Sequence, residues 1–187
     1  MSVKQRLAAL GLTSALVLAG TTLVAPWEGK ENKAYKDVVG VWTQCYGDTH
    51  DVNRTRAKTD EECADSLAKQ LVKHNVEMKR YVLVPLTDYQ EAAFTSLVYN
   101  IGVGNWKNST ALKLLNKGLY REACLQLPRW NKAGGQVYRG LTNRRLSELE
   151  VCLGNNKQAI EEARRVVAAY RDVDFIDPLI GEVKSEK

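Results

Sequence analysis

The sequence predicts an α+β fold in which a small β-lobe is followed by a larger helical lobe. Residues 38–47 alternate as a half-buried strand does, with Val41, Thr43 and Cys45 predicted on one face, and polar turn residues come next. From Thr59 onwards, helix-capping pairs and apolar residues at helical spacing replace that alternation. The chain has 187 residues, 44% of them hydrophobic, which suits one domain with appendages. A sheet followed by helices is typical of the α+β class.

Six helices are predicted after the sheet. Thr59 with Glu62, and Thr87 with Gln90, are capping-box pairs that begin the two longest helices. The predicted core helices span 59–81, 87–101, 109–117, 119–127 and 142–153. The C-terminal extension, 155–187, carries an amphipathic helix formed by Ala159, Ile160, Ala163, Val166, Val167 and Tyr170. We expect that helix to dock on the body, and the sequence indicates no function for it.

Residues 7–25 form an uncharged, largely apolar stretch directly after Lys4 and Arg6. As a helix the stretch would be about 28 Å long, close to the thickness of the hydrocarbon core of a bilayer. Basic residues before such a stretch favour a cytoplasmic N-terminus and export of the downstream chain. The sequence therefore predicts a hydrophobic N-terminal helix, within a segment comprising residues 1–26, and an exported body.

Three interpretations of this segment remain open. A cleaved signal peptide is disfavoured because no Ala-x-Ala site occurs, and a cut after Ala25 would leave Pro26 directly behind it. A permanent anchor is marginal, because its Leu and Val residues provide only roughly −4 kcal/mol of insertion free energy before the small polar residues reduce it. The third interpretation is a segment that enters the membrane for export and later leaves it intact. A buried helix of a soluble domain fits the Ala and Gly content but not the complete lack of charge.

The body of the chain is modestly basic. Of the net charge of +5, residues 28–154 carry +4. Such a charge suits an anionic polymer, either nucleic acid or cell wall. Because no stripe of Arg and Lys interleaved with aromatic residues occurs, we expect no nucleic-acid partner.

The four cysteines indicate disulfides. None lies in the apolar stretch, and no C-x-x-C pair or Cys/His cluster indicates a metal site. An even number of cysteines in an exported chain allows three pairings, of which the sequential one, Cys45–Cys63 and Cys124–Cys152, is the simplest. Four buried thiols are the alternative.

Carboxylates are the groups left to carry chemistry once other motifs are excluded. The chain has two histidines but no nucleophile elbow, Cys/His pair or phosphate-binding loop, and we expect no cofactor. Glu28 and Asp37 lie nine residues apart, with Thr43 six residues further on. Glycoside hydrolysis requires a carboxylic acid on one side of the sugar and a carboxylate on the other. Glu28 follows an apolar helix and adjoins Trp27, so desolvation would favour its protonated form. On spacing alone, such a pair is more often two solvated surface charges.

The pattern E-x8-D-x5-T, with its context AYKDVVGVWTQCYG, resembles the signature of the phage lysozymes, glycoside hydrolase family twenty-four. Three further stretches resemble the export-type endolysins of that family: SLVYNIGVGNW at 96–106, RWNKAGGQVYRGLTNRRLSE at 129–148 and EVCLG at 150–154. The resemblance covers about residues 27–154. It implies a lysozyme-like fold with a cleft between the lobes, and hydrolysis of the β-1,4 bond between N-acetylmuramic acid and N-acetylglucosamine in peptidoglycan, with lysis of the host cell.

The resemblance also implies roles for single residues. Glu28 falls on the general acid of the family, and Asp37 with Thr43 falls on the pair that positions the attacking water, with inversion at the sugar. One departure is Asp48, which stands where relatives often have histidine and adds a negative charge near the cleft. Asn100, Arg144, Arg145 and Glu148 are further candidates for the cleft or for bracing the fold. Among these, Glu148 with either arginine is expected to form a structural ion pair at helical spacing.

The family fold has a helix directly before its catalytic Glu, and here only residues 7–27 can supply one. The resemblance therefore implies a signal-anchor-release endolysin. Such a protein is exported by the secretion machinery, tethered to the host inner membrane through residues 7–25 on the periplasmic side, and then released into the periplasm as a monomer. On release, Leu10, Leu16 and Leu23 are expected to pack against the helical lobe.

Two other functions compete with this interpretation. One is a non-catalytic wall-binding or membrane-lesion protein, which would keep its effect after Glu28→Gln. The other is a lytic transglycosylase, which needs one acid and no water-holding partner, so it would tolerate Asp37→Asn.

Overall fold

The computed structural model describes residues 1–37, 40–154 and 156–169. The helices of these ranges are α1 (Val3–Ala9), α2 (Ser14–Leu18), a π-helix (Ala19–Val24), α3 (Ala25–Glu28), α4 (Asp60–Lys79), α5 (Asp88–Lys107), α6 (Thr110–Leu115), α7 (Tyr120–Cys124), a 3-10 turn (Leu127–Arg129), α8 (Arg139–Cys152) and α9 (Lys157–Ala169). The strands are β1 (Glu31–Lys36), β2 (Trp42–Cys45), β3 (Lys132–Ala133) and β4 (Gln136–Val137). β1 pairs with β2, and β3 with β4, each antiparallel. In these ranges helices form the majority, and they are combined with two small antiparallel sheets. The predicted α+β class is therefore confirmed.

The N-terminal segment is not the single hydrophobic helix that the sequence predicted. The chain leaves α1 at Leu10, turns at Gly11 with φ of +76°, and begins α2 after Thr13, whose hydroxyl accepts a hydrogen bond from the Leu16 amide. A positive φ suits glycine, which lacks a Cβ, so Gly11 is where the helix can be broken. In the described part of the chain, no helix has both the length and the apolar character needed to span a membrane.

The broken segment packs against the rest of the protein through its apolar side chains. Leu7, Leu16 and Leu23 are buried, whereas Leu10 is 43% exposed at the turn. The packing predicted for Leu16 and Leu23 is therefore confirmed, and that for Leu10 is wrong, because the break at Gly11 turns its side chain towards solvent.

Two apolar clusters hold the helices together. The larger surrounds Phe94 and Trp106, whose ring centroids lie 5.2 Å apart, and includes Leu23. The second joins the N-terminal segment to α4 and to the end of β2, through Leu7, Leu16, Cys45, Tyr46, Leu67 and Leu71. The N-terminal segment thus contributes to both clusters.

The β-lobe, residues 31–58, differs from the predicted half-buried strand. Thr43, Gln44, Cys45 and Tyr46 are all buried, so the predicted alternation of faces is wrong. Gln44 is accommodated because its side-chain amide donates to the Asn32 carbonyl at 2.8 Å and accepts from the Asn53 amide at 2.8 Å. Its partner strand β1 was not predicted, because the sequence ENKAYK has few apolar residues.

The long helices agree with their capping signals. Thr59 with Glu62 and Thr87 with Gln90 form complete capping boxes at the starts of α4 and α5. α5 continues past its predicted end to Lys107, with a kink at Gly102. α8 begins at Arg139, three residues before the predicted start, directly after the β3–β4 hairpin.

The disulfides follow the sequential pairing. Cys45–Cys63 links β2 to α4, and Cys124–Cys152 links α7 to α8. The C-terminal helix α9 docks as expected, since Ala163 is buried and Arg164 pairs with Glu150 of α8 at 2.5 Å. Tyr170, predicted in the same helix, and the rest of the tail lie outside the described residues.

Candidate active site

Glu28 is the last residue of α3, and its carboxylate contacts an arginine that lies 116 residues further along the chain. Arg144 Nη1 of α8 donates to Glu28 Oε1 at 2.6 Å. The Glu28 side chain is 21% exposed and that of Arg144 is 5% exposed. Trp27, which was expected to shield Glu28 from water, is itself 36% exposed. Glu28 is instead held by a charge-assisted hydrogen bond.

A cleft of about 540 Å³ opens beside Glu28. Its walls come from the turn after β2, from α4 and from α5; they include Gly47, Asp48, His50, Lys69, Lys73, His74, Tyr99 and Asn100. Gly47 has φ of +79°, and a Cβ at this position would lie 3.4 Å from Glu28 Oε2. Glycine there leaves room beside the carboxylate, on the side that faces the cleft.

Tyr99 links the helical lobe to the β-lobe beside this cleft. Its hydroxyl donates to the Tyr46 carbonyl at 2.8 Å, and its ring meets that of His74 edge-on with centroids 5.0 Å apart. Burial raises the pKa of Tyr99, and the negative charge of Glu28 raises it further. Tyr99 is therefore a neutral donor that fixes the position of the β-lobe relative to α5.

Asp48 lines the cleft, but its carboxylate is engaged in bracing the turn. It accepts hydrogen bonds from the His50 amide at 2.9 Å, from the Asp51 amide at 3.3 Å and from the Ser66 hydroxyl. Burial acts to raise the pKa of Asp48, but these hydrogen bonds and the charge of Lys58 outweigh it and hold the pKa below its usual value. The extra negative charge noted in the sequence thus stabilises the loop from within.

Asp37 and Thr43 lie together at the base of β2, on either side of Val41. Asp37 Oδ1 accepts from the Val41 amide at 2.8 Å, and the Asp37 amide donates to the Val41 carbonyl at 2.9 Å. The hydroxyl of Thr43, which is buried, donates to the same carbonyl at 3.2 Å. The structure brings these two predicted residues together, whereas the described walls of the Glu28 cleft include neither of them. Val38 and Val39, which follow Asp37 in the sequence, lie outside the described residues.

A buried charged cluster lies behind Glu28, inside the helical lobe. Glu148 Oε1 accepts from the Ser96 hydroxyl at 2.7 Å, from Arg145 Nη2 at 2.9 Å and from Arg144 Nε at 3.4 Å. Burial raises the pKa of Glu148 and lowers that of Arg145 to about 10. The ion pair predicted from the helical spacing is present, and Arg144 extends it to Glu28. Sequence reasoning missed this extension because 116 residues separate the two partners.

A two-lobed α+β domain with a glutamate held at the cleft between the lobes is the arrangement of a lysozyme-like glycoside hydrolase. The sequence profile of the phage lysozyme family matches residues 25–148, and the chain belongs to this family. It is 39% identical over 145 residues to the SAR-endolysin of bacteriophage PS119, covering 74% of this chain and 87% of that one. It is 37% identical over 158 residues to the SAR-endolysin of enterobacteria phage P21, covering 81% and 96%.

The fold is shared with a solved structure. The active form of the P1 phage endolysin Lyz superposes with a TM-score of 0.71 at 23% identity, covering 83% of this chain and 97% of that one. Family membership defines the protein as a glycoside hydrolase, a muramidase that degrades bacterial peptidoglycan.

Proposed function

We propose that Glu28 is the general acid that protonates the leaving oxygen of the β-1,4 bond between N-acetylmuramic acid and N-acetylglucosamine. The observation that carries this proposal is the position of Glu28: its carboxylate borders the 540 Å³ cleft and is fixed by Arg144 at 2.6 Å. A general acid must sit within hydrogen-bond reach of the oxygen that it protonates, and a fixed carboxyl beside an open cleft meets that need.

Asp37 and Thr43 are the proposed partners of Glu28 on the other side of the sugar. Both side chains hydrogen-bond to the backbone of Val41, and this shared neighbour supports a joint role in holding the attacking water. The Asp37 carboxylate would take a proton from that water as it attacks the anomeric carbon, and the product would have inverted configuration. Residues 27–154 are the proposed catalytic domain.

The N-terminal segment is proposed to act as a releasable membrane anchor. While residues 7–25 lie in the host inner membrane, the buried sites of Leu7, Leu16 and Leu23 are unfilled and the helix before Glu28 is absent from the domain. The packed arrangement of α1, α2 and the π-helix is then the released, periplasmic state, which completes the site. The names of the PS119 and P21 relatives support this proposal.

The catalytic proposal is tested on purified peptidoglycan with product masses as the readout. Hydrolysis yields fragments with a free reducing end, whereas a transglycosylase yields anhydro sugars. Glu28→Gln should lower the rate by at least ~10²-fold, since general acid catalysis contributes about 10²–10⁴-fold. Asp37→Asn and Thr43→Ala should lower it too, and Glu31→Gln, on exposed β1, is the matched control. Anhydro products together with an active Asp37→Asn variant would establish the transglycosylase instead.

The anchor proposal is tested by fusing a cleavable signal peptide to residue 27. The truncated enzyme lacks α1, α2 and the π-helix, so it should have little activity in the periplasm. Full activity of that enzyme would contradict the proposal. The intact chain with Glu28→Gln, produced in the same cells, distinguishes lysis by the enzyme from damage by the apolar segment alone.

A further inference from the structure

The cluster behind Glu28 places three charged side chains where water does not reach. Arg145 and Glu148 have no exposed surface, and Arg144 is 4% exposed. Transfer of such charges out of water is costly, and buried ion clusters contribute little net stability compared with apolar packing. Stabilisation of the domain is therefore a weak explanation for the presence of this cluster.

The geometry of the cluster leads directly to Glu28. Arg144 lies between two carboxylates, since Nη1 donates to Glu28 Oε1 at 2.6 Å and Nε faces Glu148 Oε1 at 3.4 Å. The contact at 3.4 Å is too long for a strong hydrogen bond, so it acts mainly through charge. Ser96 contacts both Glu148 Oε1, at 2.7 Å, and the Leu23 carbonyl of the π-helix, at 3.3 Å. Since a hydroxyl has one proton, the shorter contact is the hydrogen bond.

Arg144 alone would work against acid catalysis. A guanidinium 2.6 Å from a carboxylate favours the ionised form, whereas a general acid has to carry a proton. Glu148 offsets part of that positive charge from the opposite side of Arg144.

We propose that Glu148 is a positioning residue for hydrolysis: from within the helical lobe it holds Arg144 and balances its charge, so that Glu28 stays fixed in the cleft yet can be protonated. This inference rests on the proposed role of Glu28 as general acid.

The charges around Glu28 set the direction of the expected effect. The buried cluster contributes two arginines and one glutamate, a net charge of +1. From the other elements, Asp48, Asp51 and His50 face the cleft from the turn after β2, Lys69, Lys73 and His74 from α4, and neutral Tyr99 from α5. Glu148→Gln changes only the cluster, to +2. Added positive charge favours the ionised form of Glu28, which cannot donate a proton, so activity should be lost at lower pH than in the native enzyme.

The experiment compares pH profiles of kcat on purified peptidoglycan for Glu148→Gln and for Glu150→Gln. Glu150 lies on the same helix but pairs at the surface with Arg164, so it is the matched control. In Glu148→Gln we expect the alkaline limb of the kcat profile, where activity falls as the pH rises, to shift to lower pH by about one unit. That is the size of the effect of a nearby charge in a protein. We also expect kcat at neutral pH to fall about tenfold, because a shift of one pH unit changes the protonated fraction above the limb by that factor. In Glu150→Gln the alkaline limb and kcat at neutral pH should both remain as in the native enzyme. Circular dichroism confirms that each variant is folded at the assay temperature.

Ser96→Ala keeps the inference testable if Glu148→Gln does not fold. It removes the hydroxyl that donates to Glu148 and should shift the alkaline limb in the same direction by a smaller amount. Ser147→Ala is its control, since Ser147 is a partly exposed residue of α8 whose hydroxyl donates to the Asn143 carbonyl. An unmoved limb in folded Glu148→Gln, or in Ser96→Ala if only that variant folds, overturns the inference. Failure of the proposed function is distinguishable, because Glu28→Gln would then keep its hydrolytic activity, whatever the limb does in Glu148→Gln.

Discussion

The guanidinium of Arg6 forms a two-pronged ion pair with Asp65, with Nε and Nη2 donating to the two carboxylate oxygens at 2.7 and 2.9 Å. Arg6 lies on α1 and Asp65 on α4, so the pair links the start of the N-terminal segment to a helix that lines the cleft. Leu7, the next residue, is fully buried. Charge pairing and apolar packing thus act at the same point to hold the segment in place.

Arg6→Gln and Asp65→Asn should each lower the melting temperature, because either change leaves the other charge without its partner. The double variant should lose less than the sum of the two single losses, which is the signature of a direct interaction. Thermal unfolding followed by circular dichroism measures this. Lys30→Gln, which breaks the exposed pair with Asp60, is the control and should have a smaller effect. Strictly additive losses from Arg6→Gln and Asp65→Asn would contradict a direct role for the pair.

Gly20→Ala should destabilise the docked segment by overpacking. A Cβ at Gly20 would lie 2.7 Å from Leu7 Cδ1 and 2.7 Å from Leu71 Cδ1, and both leucines are fully buried. Because these side chains have little room to shift, we expect a loss of about 1–3 kcal/mol of unfolding free energy. Gly104→Ala is the matched control, since a Cβ there meets nothing within 4 Å and only the gain in helix propensity remains. Equal stability of the two variants would contradict the close packing.

Local signals in the sequence predicted much of this fold. The capping boxes at Thr59 and Thr87 predicted the starts of α4 and α5, since they depend on residues three positions apart. The sequence allowed three pairings of the cysteines, and the simplest of them, the sequential one, is the pairing found. Strand β1 was missed because its residues are polar, and its place in the sheet comes from pairing with β2.

The candidate site could be predicted only as a set of residues. The signature around Glu28 and Asp37 indicated the chemistry, but the contact of Glu28 with Arg144 joins residues 116 positions apart and depends on the complete tertiary fold. The N-terminal break was missed for a related reason. An uncharged stretch has the same sequence whether it lies in lipid or in a protein core, so its composition alone does not predict the turn found at Gly11.

Removal of the disulfides should destabilise the protein substantially without changing its fold. The bonds close loops with sequence separations of 18 and 28 residues, and restriction of the unfolded chain by each loop is worth about 3 kcal/mol. Paired substitution to serine, Cys45 with Cys63 or Cys124 with Cys152, should therefore lower the midpoint of urea unfolding. A reducing agent should reproduce the effect in the native protein but leave a variant without both bonds unchanged. A midpoint insensitive to reduction would contradict the bonds.

Asp48→Asn should destabilise the protein in a pH-dependent way. Although burial opposes it, hydrogen bonding by Ser66 and two backbone amides holds the pKa of Asp48 below its usual value of 3.8. A carboxylate whose pKa is lower in the folded state stabilises that state above the unfolded pKa, and this contribution is lost as the pH falls through the folded pKa. The variant should therefore be less stable than the native protein by about 1.5–3 kcal/mol at pH 7, the value of hydrogen bonds to a charged group. The difference should shrink progressively below about pH 4. Urea unfolding at a series of pH values measures it, with Glu31→Gln on the exposed strand as control. If the gap between Asp48→Asn and the native protein stayed constant down to pH 2, the ionised carboxylate would have no part in bracing the turn beside Glu28.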